Sequence, residues 1–232
     1  MVKHRVAIIQ ARMSSTRLPG KSMMDICGRP MAEHVIRRAC QAKLIDNVVL
    51  AVPVEAGCGD LHEVAARQNV WYFSYYGPKD DLVGRYQQAA EHFSASDIIR
   101  IPADNPCVDP DEIDRIILKY EQEAKPIGQW LYTNLDRDVC GNGYPGGLGA
   151  EVYNAWFMQW LYANVPNDEE REHPHKWAFN NDRVRTVDAP PHLQAPHLRF
   201  DVNTQEDLAY VRKIYDKLGE GFRAKELIEF AR

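Results

Sequence analysis

The chain has 232 residues, which is long enough to enclose one substantial hydrophobic core. Its 28 lysines and arginines against 33 aspartates and glutamates leave a net charge of −5, so no basic field favours nucleic acid or an anionic membrane as a partner. Five widely spaced cysteines, without a Cys-x-x-Cys pair or a zinc pattern, indicate reduced thiols. With no signal-type apolar region and no run of about 18 apolar residues, a cytoplasmic location is expected.

Predicted strands and helices alternate through the first half of the chain. Strands are predicted where β-branched and apolar residues cluster, and helices where apolar residues recur every three or four positions. The predicted strands are Val6–Gln10, Asn47–Val52, Val70–Ser74 and Asp97–Ile101, and the predicted helices are Met31–Lys43, Asp60–Gln68 and Asp81–Phe93. This alternation predicts an α/β fold with a mostly parallel sheet and helices on both faces.

The loop after the first predicted strand is rich in cations. It carries Arg12, Arg17 and Lys21, with Ser15 among them. Ligands in open α/β sheets bind beyond the carboxyl ends of strands, where cations and hydroxyls suit phosphate groups. The loop therefore indicates a nucleotide site, and the alternative is a solvated surface loop.

A Walker P-loop is a second interpretation of the same segment. Gly20-Lys21-Ser22 matches the last three positions of that motif. However, Ser15 stands where the motif has its first glycine, and Pro19 lacks a backbone N–H that would bind phosphate. The pattern therefore disfavours a P-loop.

The second half of the chain begins with a clear helix start. Asp109 is an N-cap acid, and Pro110 fits the first helical position. Farther on, Cys140–Gly149 holds five of the chain's 14 glycines, which marks a loop. These glycines either permit tight turns or form a mobile lip where the backbone approaches an acceptor.

Three more elements are predicted towards the end of the chain. Asn154–Ala163 is a predicted helix with a broad apolar band, which fits either the core or a dimer interface. Leu198–Val202 is a predicted strand. Thr204–Leu218 is a predicted helix, with Glu206 and Asp207 in its first turn.

Six segments carry a family pattern in chain order: Ala11–Lys21, Gly77–Tyr86, Ile99–Pro106, Gly147–Val152, Arg171–His173 and Val202–Leu208. Together they resemble the cytidylyltransferases that make CMP-activated sugars, and most of all the branch of spore-coat polysaccharide biosynthesis protein F. The resemblance implies a three-layer, Rossmann-like fold of the nucleotide-diphospho-sugar transferase type. It also implies a single domain over residues 1–232, an acceptor and dimerisation excursion at 130–180, and a homodimer.

The resemblance implies transfer of CMP from CTP to an acidic sugar or related surface-glycan precursor, with release of pyrophosphate and with Mg²⁺ as cofactor. Its catalytic residues would be Arg12, Lys21 and Asp104. Nucleotide contacts would come from Ala11, Ser15, Arg17, Arg85 and Arg100, and acceptor contacts from Glu151, Glu172 and His173.

The expected metal ligands depart from the family pattern. Asp104 matches the first metal carboxylate, but Asn203 stands where the second is usual. Asp201 lies two residues earlier, on the same face of a predicted strand, and is expected to supply the missing charge. The amide oxygen of Asn203 can still face Mg²⁺ or a water molecule bound to it.

Other interpretations stay open. Arg85 can pair with Asp80 or Asp81 in a purely structural role, and His173 can belong to a surface helix start, because His-x-His does not fit a helical zinc site. The loss of carboxylates at Asn203 and Gly149 also allows a non-catalytic nucleotide-binding module. A glycosyltransferase, or a transferase that uses another triphosphate, is the remaining alternative.

Overall fold

The structure is a computed structural model that describes residues 3–124, 131–133, 141–166 and 168–232. The strands in these ranges are β1 (Arg5–Gln10), β2 (Asp25–Ile26), β3 (Arg29–Pro30), β4 (Asn47–Pro53), β5 (Trp71–Tyr75), β6 (Asp97–Pro102), β7 (Leu131–Thr133), β8 (Glu151–Asn154) and β9 (Val184–Thr186). The α-helices are α1 (Met31–Ala39), α2 (Gly59–Arg67), α3 (Leu82–His92), α4 (Pro110–Lys119), α5 (Ala155–Asn164), α6 (Asp168–Glu172), α7 (Pro174–Asn180), α8 (Gln205–Leu218) and α9 (Ala224–Ala231).

The main sheet is mostly parallel. Its described strands lie in the order β5-β4-β1-β6-β8-β7-β9, and β2 pairs with β3 separately. β5, β4, β1 and β6 run parallel, whereas β8 runs antiparallel to β6. The chain places β4 and β5 on one side of β1 and β6 on the other. The strand order therefore reverses beside β1, which is where ligands bind in open α/β sheets.

Helices cover both faces of this sheet. Alternate residues of a strand point to opposite faces, so Ala7 and Ile9 join the apolar cluster under α1, α2 and α4. Val6 and Ile8 join the cluster under α3 and α5. Burial on both faces explains why β1 is a nearly continuous apolar run. The predicted α/β fold class is confirmed.

A third apolar cluster fixes the C-terminal helices and the loop after β1. Leu18, in the middle of that loop, is buried among residues of α8 and α9. Arg38 of α1 is also buried, and it donates to the carbonyls of Val108 and Phe222 at 2.5 and 3.0 Å. These contacts hold the cationic loop against the body of the protein.

The segment 198–202 is not a strand, which corrects the prediction. Its backbone bonds instead to loops: Gly146 N–H donates to Leu198 O at 3.0 Å, and Phe200 N–H donates to Gly146 O at 2.9 Å. Val202 N–H donates to Asp104 O at 2.8 Å. The segment therefore crosses the carboxyl end of β6. Its alternating apolar residues, Leu198, Phe200 and Val202, pack in the third apolar cluster and not in a sheet.

The predicted helix starts agree with the structure. Asp109 accepts from the N–H groups at the start of α4 at 2.8 and 3.2 Å, and Thr204 forms a capping box with Asp207 at the start of α8. The helix predicted to reach Lys43 ends at Ala39, since the chain then turns and Lys43 N–H donates to Asp114.

The predicted excursion at 130–180 contains β7, β8, α5, α6 and α7 in its described part. Cys140, at the start of the predicted glycine loop, lies outside the described residues. Among the helices that the structure describes, none has the length and apolar character needed to cross a membrane.

Candidate active site

A cleft of about 420 Å³ opens at the carboxyl ends of β1 and β6. All of the site residues predicted from the sequence line it: Ala11, Arg12, Ser15, Arg17, Lys21, Arg85, Arg100, Asp104, Glu151, Glu172, His173, Asp201 and Asn203. Residues that are as much as 192 positions apart in the chain, Ala11 and Asn203, therefore meet at one site. Their roles toward ligands stay predictions.

Glu55 orders the cationic loop after β1. Its carboxylate accepts from the backbone N–H groups of Met13 and Ser14 at 2.7 and 3.1 Å. Burial alone would raise the pKa of Glu55, but the hydrogen bonds from Ser14 and Met13 outweigh it and lower this pKa. Glu55 was not predicted as a site residue, because it follows β4 without a motif of its own.

Lys21 joins three segments at the floor of the cleft. Its ammonium donates to Asp104 Oδ2 at 2.7 Å, to Val202 O at 2.9 Å and to Asn203 Oδ1 at 3.4 Å. Only 13% of the Lys21 side chain is exposed. The Lys21 ammonium thus links the loop after β1 to the end of β6 and to the segment before α8.

Asp201 is adjacent to Asn203, as the predicted face implied. Asn203 Nδ2 donates to Asp201 Oδ2 at 2.5 Å, and Arg199 donates to both carboxylate oxygens at 3.1 and 2.7 Å. Gly147 allows this approach: its φ is +89°, and a Cβ there would lie 2.5 Å from Asp201 N. The glycine loop and the Asp201 segment are therefore in direct contact.

Arg100 and Glu151 pair with each other in the interior of the cleft. They are opposite residues on β6 and β8, and Arg100 Nη1 donates to Glu151 Oε2 at 2.7 Å. Tyr153 Oη donates to the same oxygen at 2.8 Å. Burial opposes the charge on Arg100, but Glu151 raises its pKa strongly. Both predicted contacts are therefore part of one buried pair.

Arg85 is buried without an ion-pair partner among the described residues. It is 1% exposed, and its guanidinium donates to the carbonyl of Lys79. Burial lowers the pKa of Arg85. The alternative in which Arg85 pairs with Asp80 or Asp81 does not hold, because Asp80 pairs with Arg12 and Asp81 with Arg171.

Glu172 and His173 lie at the mouth of the cleft. Glu172 ends α6 and accepts from Arg12 Nη2 at 3.1 Å. His173 is the N-cap residue of α7, as the structural alternative predicted, and it also lines the cleft. The described residues contain no group of three or more His, Cys, Asp or Glu side chains suited to hold a metal ion.

The charges of the cleft are unequal. The cationic residues that line it among the described residues are Arg12, Arg17, Lys21, Lys79, Arg85, Arg100 and Arg199, and the carboxylates are Asp104, Glu151, Glu172 and Asp201. Each carboxylate already has a cationic partner. In the described part of the chain, Arg17, Lys79 and Arg85 have no ion pair, so the cleft suits an anion with several charges.

Sequence reasoning missed Lys79, Arg171 and Arg199. Lys79 and Arg171 lie inside segments that carried the family resemblance, Gly77–Tyr86 and Arg171–His173, and their charge was the available signal. Arg199 precedes the metal pattern by only a few residues. Its contact with Asp201 depends on a loop conformation that periodicity does not predict.

A cleft rich in cations at the point of strand reversal in a mostly parallel sheet is typical of nucleotide-binding α/β proteins. The sequence pattern of the cytidylyltransferase family matches residues 6–182, and the chain belongs to that family. It is therefore a nucleotidyltransferase.

Known proteins resemble the chain along most of its length. Spore coat polysaccharide biosynthesis protein SpsF of Bacillus subtilis is 28% identical over 227 residues, which is 95% of this chain and 91% of that protein. A solved cytidylyltransferase from Leptospira borgpetersenii is 23% identical, with a TM-score of 0.89 and coverage of 99% and 94% of the two chains. A CMP:2-keto-3-deoxy-manno-octonic acid synthetase in complex with CTP has 17% identity, a TM-score of 0.71 and coverage of 93% and 100%. The two solved structures support the fold.

Proposed function

We propose that the protein transfers CMP from CTP to an oxygen of an acidic sugar or related surface-glycan precursor and releases pyrophosphate. The observation that carries this proposal is the excess of cations in the cleft beyond β1 that make no ion pair with any described residue. The family supports CTP as the donor, and the names of the SpsF protein and the octonic acid synthetase support a sugar-like acceptor.

The triphosphate would lie along the loop after β1. Arg12, Arg17 and Lys21 supply positive charge there, and Ser15 supplies a hydroxyl. Charge that develops on the leaving pyrophosphate is stabilised by cations already in position. Catalysis is then positioning and charge neutralisation, without a covalent enzyme intermediate.

The side chains at the floor of the cleft fit a hard divalent cation such as Mg²⁺. Asp104 offers a carboxylate and Asn203 an amide oxygen, both within 3.4 Å of the same Lys21 ammonium, and Asp201 adds a second carboxylate next to Asn203. Oxygen donors are the ligands that Mg²⁺ prefers. The metal would neutralise phosphate charge, and Lys21 would move from Asp104 toward the phosphates.

The acceptor would bind on the side of Glu151, Glu172 and His173. Gly149 stands where the family branch commonly has a carboxylate, so an acceptor with different polar groups is expected. Glu172 is the most available acceptor contact, since 30% of its side chain is exposed, whereas Glu151 is committed to Arg100.

We also propose a homodimer whose interface is formed by the excursion at residues 130–180. Trp156, Tyr162 and Phe179 expose 54, 42 and 45% of their surface on α5 and α7. Large aromatic side chains of this kind are typical of protein interfaces. Sedimentation velocity should give twice the chain mass for the unmodified protein and a lower mass for a Trp156→Asp variant.

Thermal shifts with the four triphosphates in Mg²⁺ test the donor. CTP at ~100 times its Kd adds about 2.7 kcal/mol to the stability of the fold, so it should raise Tm more than ATP, GTP or UTP does. Equal shifts for all four would contradict a cytidylyl enzyme.

Pyrophosphate release against a panel of sugar acids then tests the reaction. CTP-dependent release with one acceptor supports the proposal. Turnover of an activated sugar without pyrophosphate would instead indicate a glycosyltransferase. CTP binding without turnover against any acceptor would favour the non-catalytic binding module.

A further inference from the structure

Five charged side chains of alternating sign form a row that includes two residues of the cleft lining, Arg12 and Glu172. Arg12 pairs with Asp80 and with Glu172, and Arg171, the neighbour of Glu172 in α6, pairs with Asp81, the neighbour of Asp80. These contacts connect the loop after β1, the segment before α3, and α6. The phosphate side and the acceptor side of the cleft are therefore tied by ion pairs.

The Arg171–Asp81 pair is the strong end of this arrangement. Arg171 donates through Nε and Nη2 to the two oxygens of Asp81, both at 2.9 Å, and through Nη1 to Tyr162 O at 3.1 Å. Asp81 also accepts from Gly84 N–H at 2.7 Å and from Tyr75 Oη at 2.9 Å. Two-point pairs between partly buried groups with further hydrogen bonds are rigid.

The Arg12–Glu172 pair is the weak end. It is one hydrogen bond of 3.1 Å, and 30% of each side chain is exposed. Solvent screens such a pair, so another anion can take Arg12 from Glu172. A phosphate group in the cleft is such an anion.

We propose that Arg171 is a positioning residue that holds Glu172 within reach of Arg12, so that Glu172 competes with phosphate for Arg12 and turns to the acceptor when phosphate binds. This inference rests on the proposed function, because it assigns Arg12 to phosphate. Glu172 then becomes available to the acceptor only after the nucleotide has bound. Phosphate binding and acceptor binding are then coupled through one carboxylate.

The proposal predicts a change of unexpected sign. Removing the positive charge of Arg171 would by itself weaken the binding of an anion nearby. If Arg171 instead holds Glu172 on Arg12, its removal leaves Arg12 paired with Asp80 alone, makes Nη2 of Arg12 available and tightens anion binding. The loss of charge alone predicts weaker anion binding by an Arg171 variant, whereas the positioning role predicts tighter anion binding by the same variant.

Calorimetric titration of inorganic tripolyphosphate tests the sign. Arg171→Met and Glu172→Gln should each bind it about 1.5-fold to fivefold more tightly than the unmodified chain, the range expected for loss of one competing, partly exposed ion pair. The double variant should gain no more than the larger single effect, because both changes remove the same competition. Arg171→Lys should lie between Arg171→Met and the unmodified chain.

Arg183→Met is the matched control. Arg183 lies over the Trp160 ring at 5.8 Å, as Arg171 lies over Tyr162 at 4.9 Å. Neither arginine lines the cleft, but only Arg171 is the neighbour of Glu172 in α6. Its loss should leave tripolyphosphate affinity unchanged or slightly weaker. Circular dichroism checks each fold, and Arg171→Gln replaces Arg171→Met if the latter does not fold.

Unchanged or weaker binding by the Arg171 variants overturns the positioning role while CTP selectivity and pyrophosphate release still stand. If the unmodified chain binds neither tripolyphosphate nor CTP, both the positioning role and the proposed function are overturned. With a working acceptor, Arg171→Met should lower kcat without raising the KM for CTP.

Discussion

The proposed phosphate side and the proposed acceptor side of the cleft are built differently. Arg12, Lys21 and Asp104 follow β1 and β6, two neighbouring strands of the buried parallel sheet. Glu172 and His173 belong to α6 and α7, helices of five and seven residues joined to the body by ion pairs and aromatic contacts.

The difference teaches which part of the enzyme can change. A side chain at the end of a buried strand is fixed by the whole core, so its position tolerates little variation. A side chain on a short surface helix depends on a few polar contacts and can be repositioned by one substitution. The donor site is therefore the constant half, and acceptor choice is expected to vary in the other half.

Removing Lys21 should have the largest effect. Lys21→Ala loses a cation at the phosphates and leaves Asp104 without its partner. The activation free energy of pyrophosphate release should therefore rise by about 2–4 kcal/mol, which lowers the rate roughly 30- to 1000-fold. Lys43→Ala is the control, because Lys43 is exposed and does not line the cleft. Equal losses in both variants would place the key phosphate contact elsewhere.

Gly147→Ala should be the most destabilising change in the acceptor half. Its φ of +89° disfavours a side chain, and the added Cβ would lie 2.5 and 2.7 Å from backbone atoms of Asp201 and Phe200. The expected loss is about 1–3 kcal/mol, read as a Tm several degrees lower. Gly141→Ala has a φ of +58° and open space around its Cβ, so it should cost less. A similar loss at both glycines would show that strain, not the contact with Asp201, dominates.

Metal dependence separates Asp201 from Asn203. If Asp201 supplies the second carboxylate, Asp201→Asn should raise the Mg²⁺ concentration needed for half-maximal activity about tenfold or more, and Asn203→Ala should raise it less. Asn203→Asp should keep or lower that concentration. An unchanged Mg²⁺ curve for Asp201→Asn would reduce Asp201 to a structural partner of Arg199.

The smallest expected effect is the pH dependence of the stability that Glu55 contributes to the fold. Hydrogen bonds lower the pKa of Glu55 below its ordinary value of 4.5, so ionised Glu55 stabilises the fold above that pH. This contribution is lost as the pH falls through the lowered pKa. The Tm difference between the unmodified chain and Glu55→Gln should therefore be widest near neutral pH and should narrow in acid. Glu63→Gln, at an exposed position of α2, controls for the exchange of a carboxylate for an amide.

The prediction from residues 198–202 shows where pattern reasoning fails. Alternating residues there suggested a strand, yet the backbone bonds to Gly146 and Asp104 in loops. The predicted proximity of Asp201 and Asn203 nevertheless holds, because Asn203 Nδ2 donates to Asp201 Oδ2.

The sequence by itself determined the α/β class, the strand ends that carry the site and the family. The α/β class and the strand ends depend on local periodicity and on cations that directly follow an apolar strand, which short-range physics can interpret. The family rests instead on the resemblance of six segments to a known pattern. Only the tertiary structure decided that Lys21 joins Asp104 to Asn203, that Glu151 is committed to Arg100, and that Arg171 anchors α6 to Asp81. Those pairings join residues 51 to 182 positions apart, and the partner of a charge at such distances is set by how the chain packs.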